Sequence, residues 1–136
     1  MNKELDEELC RKYPKIFVNR HGKPMETAMC WGFECDDGWF DLIDKLCYRI
    51  TYHLNHITYS VPQVVASQVK EKFGTLRFYV QGADDYVYDL IDQAETDSAR
   101  ICEICGEPGR IRGVDWYKTL CDKHANILKY PEYEVI

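Results

Sequence analysis

The stretch ICEICGEPGRIRGVDWYKTLCDKHA, residues 101–125, constrains this chain more than any other. Cys102 and Cys105 stand three apart, and Cys121 and His124 repeat that separation after 15 intervening residues. A C-x2-C turn brings two sulfurs to one edge of a tetrahedron, and the second pair supplies the opposite edge. Gly106 follows the first pair and permits a tight knuckle that a Cβ would obstruct. Gly109 and Gly113 punctuate a segment suited to a short hairpin, and CDKHANILKY begins a helix. Cys121 and His124 fall in its first turn, facing one side. Knuckle, hairpin and helix-borne ligands predict a treble-clef-like site for Zn2+ built by Cys102, Cys105, Cys121 and His124. A redox pair is the alternative reading of C-x-x-C. It expects a strand before the motif and a helix after it. Here a helical pattern precedes the pair and a second ligand pair lies downstream.

Four good ligands close the coordination shell, whereas catalytic zinc keeps a position open for water. No H-x-E of the deaminases accompanies the ligands. Asn126, in HANI, invites comparison with small metal-dependent nucleases. Their catalytic histidine must be free of the structural ion, and His124 is already a ligand. Phosphate loop, G-x-S-x-G and dinucleotide fingerprints are also missing. The pattern therefore predicts a structural metal in a non-enzymatic protein.

Seven cysteines, an odd number with no export-type leader pattern, argue against a disulfide framework. No apolar run approaches a membrane span. The N-terminal MNKELDEELCRKY has neither a secretory nor a transit signature, so the expected location is cytoplasmic. Hydrophobic residues at 46% provide for a real core. Acids exceed bases throughout, 17 against 12 in residues 1–101 and 6 against 5 in 102–136. That balance opposes nucleic-acid binding. The acids are also blocked: five between Glu34 and Asp44 and six between Asp84 and Asp97, with no base in either stretch. Such blocks read either as solvated helix faces or as a surface for a basic partner.

Periodicity predicts an α+β chain in which amphipathic helices pack on an antiparallel β-hairpin sheet. Residues 3–13 read as a helix, with Leu5, Leu9 and Tyr13 on one face and Pro14 as its stop. KIFVN and TAMCWGF read as short strands around the turn HGKP. Residues 36–57 carry Trp39, Leu42, Ile43, Leu46, Cys47, Ile50, Leu54 and Ile57 at helical spacing. QVVASQVKEKFGTLRFYV reads as a hairpin turning near Lys72–Gly74. Residues 84–101 form a second helical pattern, with Val87, Leu90, Ile91, Ala94, Ser98 and Ile101 on one face and Asp85, Asp89 and Asp92 on the other. This gives an α+β body over 1–101 and a zinc-binding segment over 102–136, packed together as one unit.

Other thiols and imidazoles are weaker candidates. Cys30 and Cys35 are five apart in number, a looser spacing than the metal motif; with His21, or with His53 and His56, they would make a second site. Cys47 falls on the apolar helix face and reads as core. His53 and His56 lack the Glu of H-E-x-x-H and read as core or surface residues.

Four blocks, CDDGWFDLIDKLC, QVKEKFGTLRFYV, SARICEICGEPG and KTLCDKHA, occur in order across residues 30–126. Together they resemble a family of small phage and prophage zinc-binding proteins that carry GDGW, VKEKFG-LRFY, CE-CG-PG and TLC--HA. Asp36 stands where that pattern has glycine. The resemblance implies phage origin and zinc binding; it carries over no catalytic residue. By a further analogy of character, such acidic proteins are similar to anti-CRISPR inhibitors that keep DNA from a type II effector nuclease. The expected partner is then a host defence protein with a basic surface, met by Asp37, Asp41, Asp44, Asp85, Asp89 and Asp92 with Trp39, Tyr86 and Tyr88 beside them. Three other readings stay open. One is a zinc-dependent nucleic-acid module using Arg110, Arg112, Lys118 and Lys123 around Trp116 and Tyr117; the second is a metal-dependent hydrolase; the third, capture of a nucleotide signal, has no residue-level support in the sequence.

Overall fold

The computed structural model describes residues 1–135. The fold is α+β, as the periodicity predicts. Helix α1 spans Lys3–Lys12; Asn2 caps it by accepting a hydrogen bond from the Leu5 amide at 2.9 Å. Its buried Leu9 points into the core, and Tyr13 ends it ahead of Pro14. Strand β1 is only Phe33–Glu34. A 3-10 turn, Asp37–Trp39, leads into α2, Phe40–His56. Strands β2, Val65–Lys72, and β3, Thr75–Gln81, form the expected hairpin. Helix α3 spans Asp85–Ser98.

The sheet order is β1-β2-β3, with β2–β3 antiparallel and β1 added parallel to β2. Phe73 and Gly74 make the two-residue turn, both at positive φ (55° and 86°), the geometry that matches the twist of paired strands. A register irregularity lies between Ala66 and Gln68. It moves the buried side chains from Ala66, and Val64 just ahead of β2, to Val69, so both halves of a bent strand face the same core. The β3 amides on the side away from β2 are not left open. Ser98 Oγ accepts from the Leu76 amide at 2.8 Å, and a Glu95 carboxylate oxygen accepts from the Phe78 amide at 2.9 Å. Helix α3 thereby borders the sheet as well as covering it.

The main core joins Leu9, Ile16, Met29, Trp39, Ile43, Ile50, Val69, Leu76, Phe78, Val87 and Ile91. Each fully buried aliphatic or aromatic side chain contributes about 1.5–3 kcal/mol. The apolar stripes expected on α2 and α3 are those that face this core. Of two expected strands, KIFVN does not form and TAMCWGF contributes only Phe33 to β1. Residues 14–21 are consecutive turns, and 28–31 are a 3-10 turn, Ala28–Trp31. Ile16 and Phe17 are both buried although adjacent, which a strand with one buried face cannot achieve. The segment keeps one sheet-like link, the Ala66 amide donating to the Ile16 carbonyl at 2.8 Å.

The segment expected over 102–136 carries a second, smaller set of elements, and Glu134 is tied back to it by a bridge to Val114. Strands β4, Arg110–Arg112, and β5, Lys118–Leu120, pair antiparallel, and α4 spans Asp122–Ile127. A small apolar cluster of Cys102, Leu120, Cys121 and Ala125 lies inside it.

Candidate metal centre

Cys102 and Cys105 come from the knuckle after α3. Cys121 is the N-cap of α4, and His124 lies in the first turn of that helix. The four ligand atoms lie within 4.8 Å of one another. Cys105 Sγ and Cys121 Sγ are 3.8 Å apart, Cys102 Sγ and His124 Nδ1 3.7 Å, and Cys121 Sγ and His124 Nδ1 3.2 Å. A tetrahedral ion with metal–sulfur bonds of about 2.3 Å has sulfur–sulfur edges of about 3.8 Å. The observed edges of 3.2–3.8 Å are close to those of such an ion, the whole set lies within 4.8 Å, and His124 offers Nδ1.

Burial works against ionising Cys102, but backbone amides around it outweigh that and hold its thiol below the ordinary range. Desolvation, with the neighbouring sulfurs, pushes Cys105 up to about 11. Three thiols at one point resist joint ionisation unless a cation supplies the compensating charge, so metal uptake releases protons. Among the described residues this is the one group of three or more close metal-ligating side chains. Cys35 is buried, and burial pushes its thiol to about 12; burial raises Cys47 as well. His53 pairs with Asp84 at 2.8 Å and stacks on Tyr86, while His56 stacks on Tyr52. None of these joins a second cluster.

The metal segment is seated on the body through a seam that local sequence patterns do not mark. The Gly38 amide donates to the Glu103 carbonyl at 2.7 Å, and the Asp36 amide to the Glu103 carboxylate at 3.0 Å. Trp39 Nε1 donates to the Ile101 carbonyl at 2.9 Å. Across the segment, Thr119 Oγ1 donates to the Gly74 carbonyl at 2.6 Å, and the Glu103 amide donates to the Thr119 carbonyl at 3.0 Å. Glu103 is 2% exposed, and its free carboxylate oxygen faces Lys118 Nζ at 3.7 Å. Burial pushes its carboxyl up, and Lys118 works against that rise. Glu103 and Gly38 are the residues sequence reasoning passed over. Their signal is position only: an acid between two ligand cysteines, and the glycine of CDDGW.

The six expected partner-binding aspartates divide. Asp44 is engaged inside the chain, accepting from Lys12 Nζ at 2.6 Å and from the Tyr13 hydroxyl at 2.7 Å. Burial disfavours its ionisation, but those two hydrogen bonds win and hold its carboxyl below the usual range. Asp37 accepts from the Asn2 amide and Nδ2 at 2.7 and 2.9 Å. Asp41 stays exposed at the rim of a groove between α2 and α3. Asp85, Asp89 and Asp92 form an exposed stripe on α3 with no ion pair to the described residues. Tyr86 and Tyr88 are exposed on the same helix, whereas Trp39 is fully buried and belongs to the core.

The bases around the metal are largely neutralised. Arg112 is 4% exposed and meets Asp122 at 2.7 Å and Glu132 at 3.3 Å; Arg110 meets Glu132 at 2.8 Å. No helix of the described residues is long and apolar enough to cross a membrane. Comparison with family models, with curated proteins and with solved structures gives no match.

Proposed function

We propose that this chain is a zinc-stapled, non-enzymatic docking protein whose acidic α3 face binds the basic surface of a partner, in the manner of a phage inhibitor of a host defence nuclease. The carrying observation is the contrast in how the carboxylates are used. Asp44 and Asp37 are consumed by the fold, whereas Asp85, Asp89 and Asp92 face solvent unpaired, beside exposed Tyr86 and Tyr88. Aromatic side chains next to unpaired charge suit an interface with Arg- or Lys-rich protein. A surface that binds DNA phosphates has the complementary charge, so occupation of that surface would exclude nucleic acid. A type II CRISPR effector nuclease is the specific case proposed.

Three cysteines and a histidine with tetrahedral edges favour Zn2+ as the ion, and four protein ligands leave no open position for water. Its role here is to hold the 102–130 unit in register. Neutralised bases around the metal weigh against that unit as a nucleic-acid module.

The test is DNA binding by a type II effector with the zinc-loaded protein added. The wild-type chain should lower DNA binding, less so as salt rises. Charge reversal of Asp85, Asp89 and Asp92 to lysine should abolish the effect while melting temperature is kept. Inhibition that ignores both salt and charge reversal would remove the electrostatic reading; absence of any effect would remove this effector as the partner.

A further inference from the structure

Helices α2 and α3 run antiparallel: Gly38 and Asp41 lie near Arg100 and Ile101 at one end, and His53 meets Asp84 and Tyr86 at the other. Between them opens a groove with a volume of about 520 Å³, within the roughly 300–1,000 Å³ typical of small-molecule sites. Its floor is apolar, built on Leu42, Leu46 and Leu90. Its rim carries Lys45 and Arg49, one helical turn apart on α2, and Arg100 from beyond the end of α3. The end wall is backbone, Gly38 against Gly106 of the metal knuckle.

Three cations line this one groove in a chain where acids outnumber bases 23 to 17. Two carboxylates share the groove. Asp97 accepts from Gln93 Nε2 at 2.8 Å and lies 3.9 Å from Arg100, so it is already engaged. Asp41 is at the mouth. Lys45 and Arg49 have no carboxylate within 4.0 Å among the described residues. Guanidinium forks favour phosphate, and an ammonium adds a point charge to the same group. An apolar floor beneath cationic donors at the rim suits a ligand with an apolar ring and a charged end. A polyanionic strand would also have to run past Asp85, Asp89 and Asp92 on α3, which a compact ligand avoids.

We propose that this groove binds a small organic phosphate of nucleotide size, its phosphate held by Lys45, Arg49 and Arg100 and its ring lying on Leu42, Leu46 and Leu90. The site is independent of the α3 docking face.

The experiment is an amide NMR titration of the zinc-loaded chain with adenosine monophosphate, inorganic phosphate and adenosine in parallel. Adenosine monophosphate should give saturable shifts confined to residues 38–49 and 90–106. Phosphate alone and adenosine alone should each bind about tenfold more weakly or worse, because each keeps half of the recognition. Arg49→Gln, which removes the charge and keeps the first part of the aliphatic stem, should weaken adenosine monophosphate binding about tenfold while leaving the remaining spectrum in place; Lys45→Ala is the second, independent variant. The proposal is overturned by no saturable shift at millimolar adenosine monophosphate, by shifts indifferent to both variants, or by a single-stranded oligonucleotide outcompeting the mononucleotide at these residues.

Discussion

One methyl group at residue 38 should unseat the metal segment. A Cβ built on Gly38 would lie 2.2 Å from the Cys102 carbonyl oxygen and 2.5 Å from that of Glu103. Both are backbone atoms, so neither can swing aside, and the knuckle must withdraw by about 1 Å to restore contact distances. Three hydrogen bonds cross that gap: Gly38 amide to Glu103 carbonyl, Asp36 amide to Glu103 carboxylate, and Trp39 indole to Ile101 carbonyl. At about 1 kcal/mol each, their loss costs about 3 kcal/mol. Alanine stiffens the unfolded chain and returns about 0.4–1 kcal/mol. The net expectation for Gly38→Ala is about 2 kcal/mol, a fall of about 7 °C in melting temperature for a chain of 136 residues. Zinc affinity, read by chelator competition, should fall with it, because the seated knuckle is the metal-competent one. Calorimetry in excess zinc, with Ser60→Ala in the exposed loop as control, gives the measurement. A Gly38→Ala protein that melts within about 1 °C of wild type, with unchanged zinc affinity, would show that the close approach at the seam is not made.

Metal removal should act locally before it acts globally. Chelation, or Cys105→Ser, should strip hydrogen-exchange protection from residues 102–130 while α2, β2, β3 and α3 keep theirs; uniform loss throughout would mean that the body depends on the ion. Asp44 supplies a pH test. Its carboxyl is held below the usual range in the folded state, so its stabilisation is present above about pH 3.9, the unfolded value, and is lost as pH falls through the folded value. Asp44→Asn should cost about 1 kcal/mol at pH 7, and urea denaturation at pH 3 should show the wild-type and variant curves converging. An undiminished gap at pH 3 would contradict an ionised Asp44 as the source.

Local pattern made some of this fold legible. Steps of three and four in α2 and α3 point to the residues that are buried, because an amphipathic helix has to turn that face inward. The metal ligands are legible for a similar reason, since a chelating pair must be close in sequence to share an ion. Residues 14–31 misled, because apolar Ile16 and Phe17 mark burial without marking conformation. The seam at Gly38 and Glu103 was not legible at all. It joins positions 65 residues apart, and nothing about either one names the other. The division among the aspartates was equally hidden, since Asp44 is set apart only by Lys12 and Tyr13 arriving from α1 and its C-terminal cap.

The Ser98 and Glu95 side chains that close the outer edge of β3 also set how this molecule can associate. An open strand edge invites other chains to extend the sheet, whether as ligands or as aggregates. With the Leu76 and Phe78 amides already taken, β3 has lost donors that an incoming strand would need. Recognition by the α3 side of the protein must then proceed through side chains, and copies crowded together in a cell gain little from lining up along that edge.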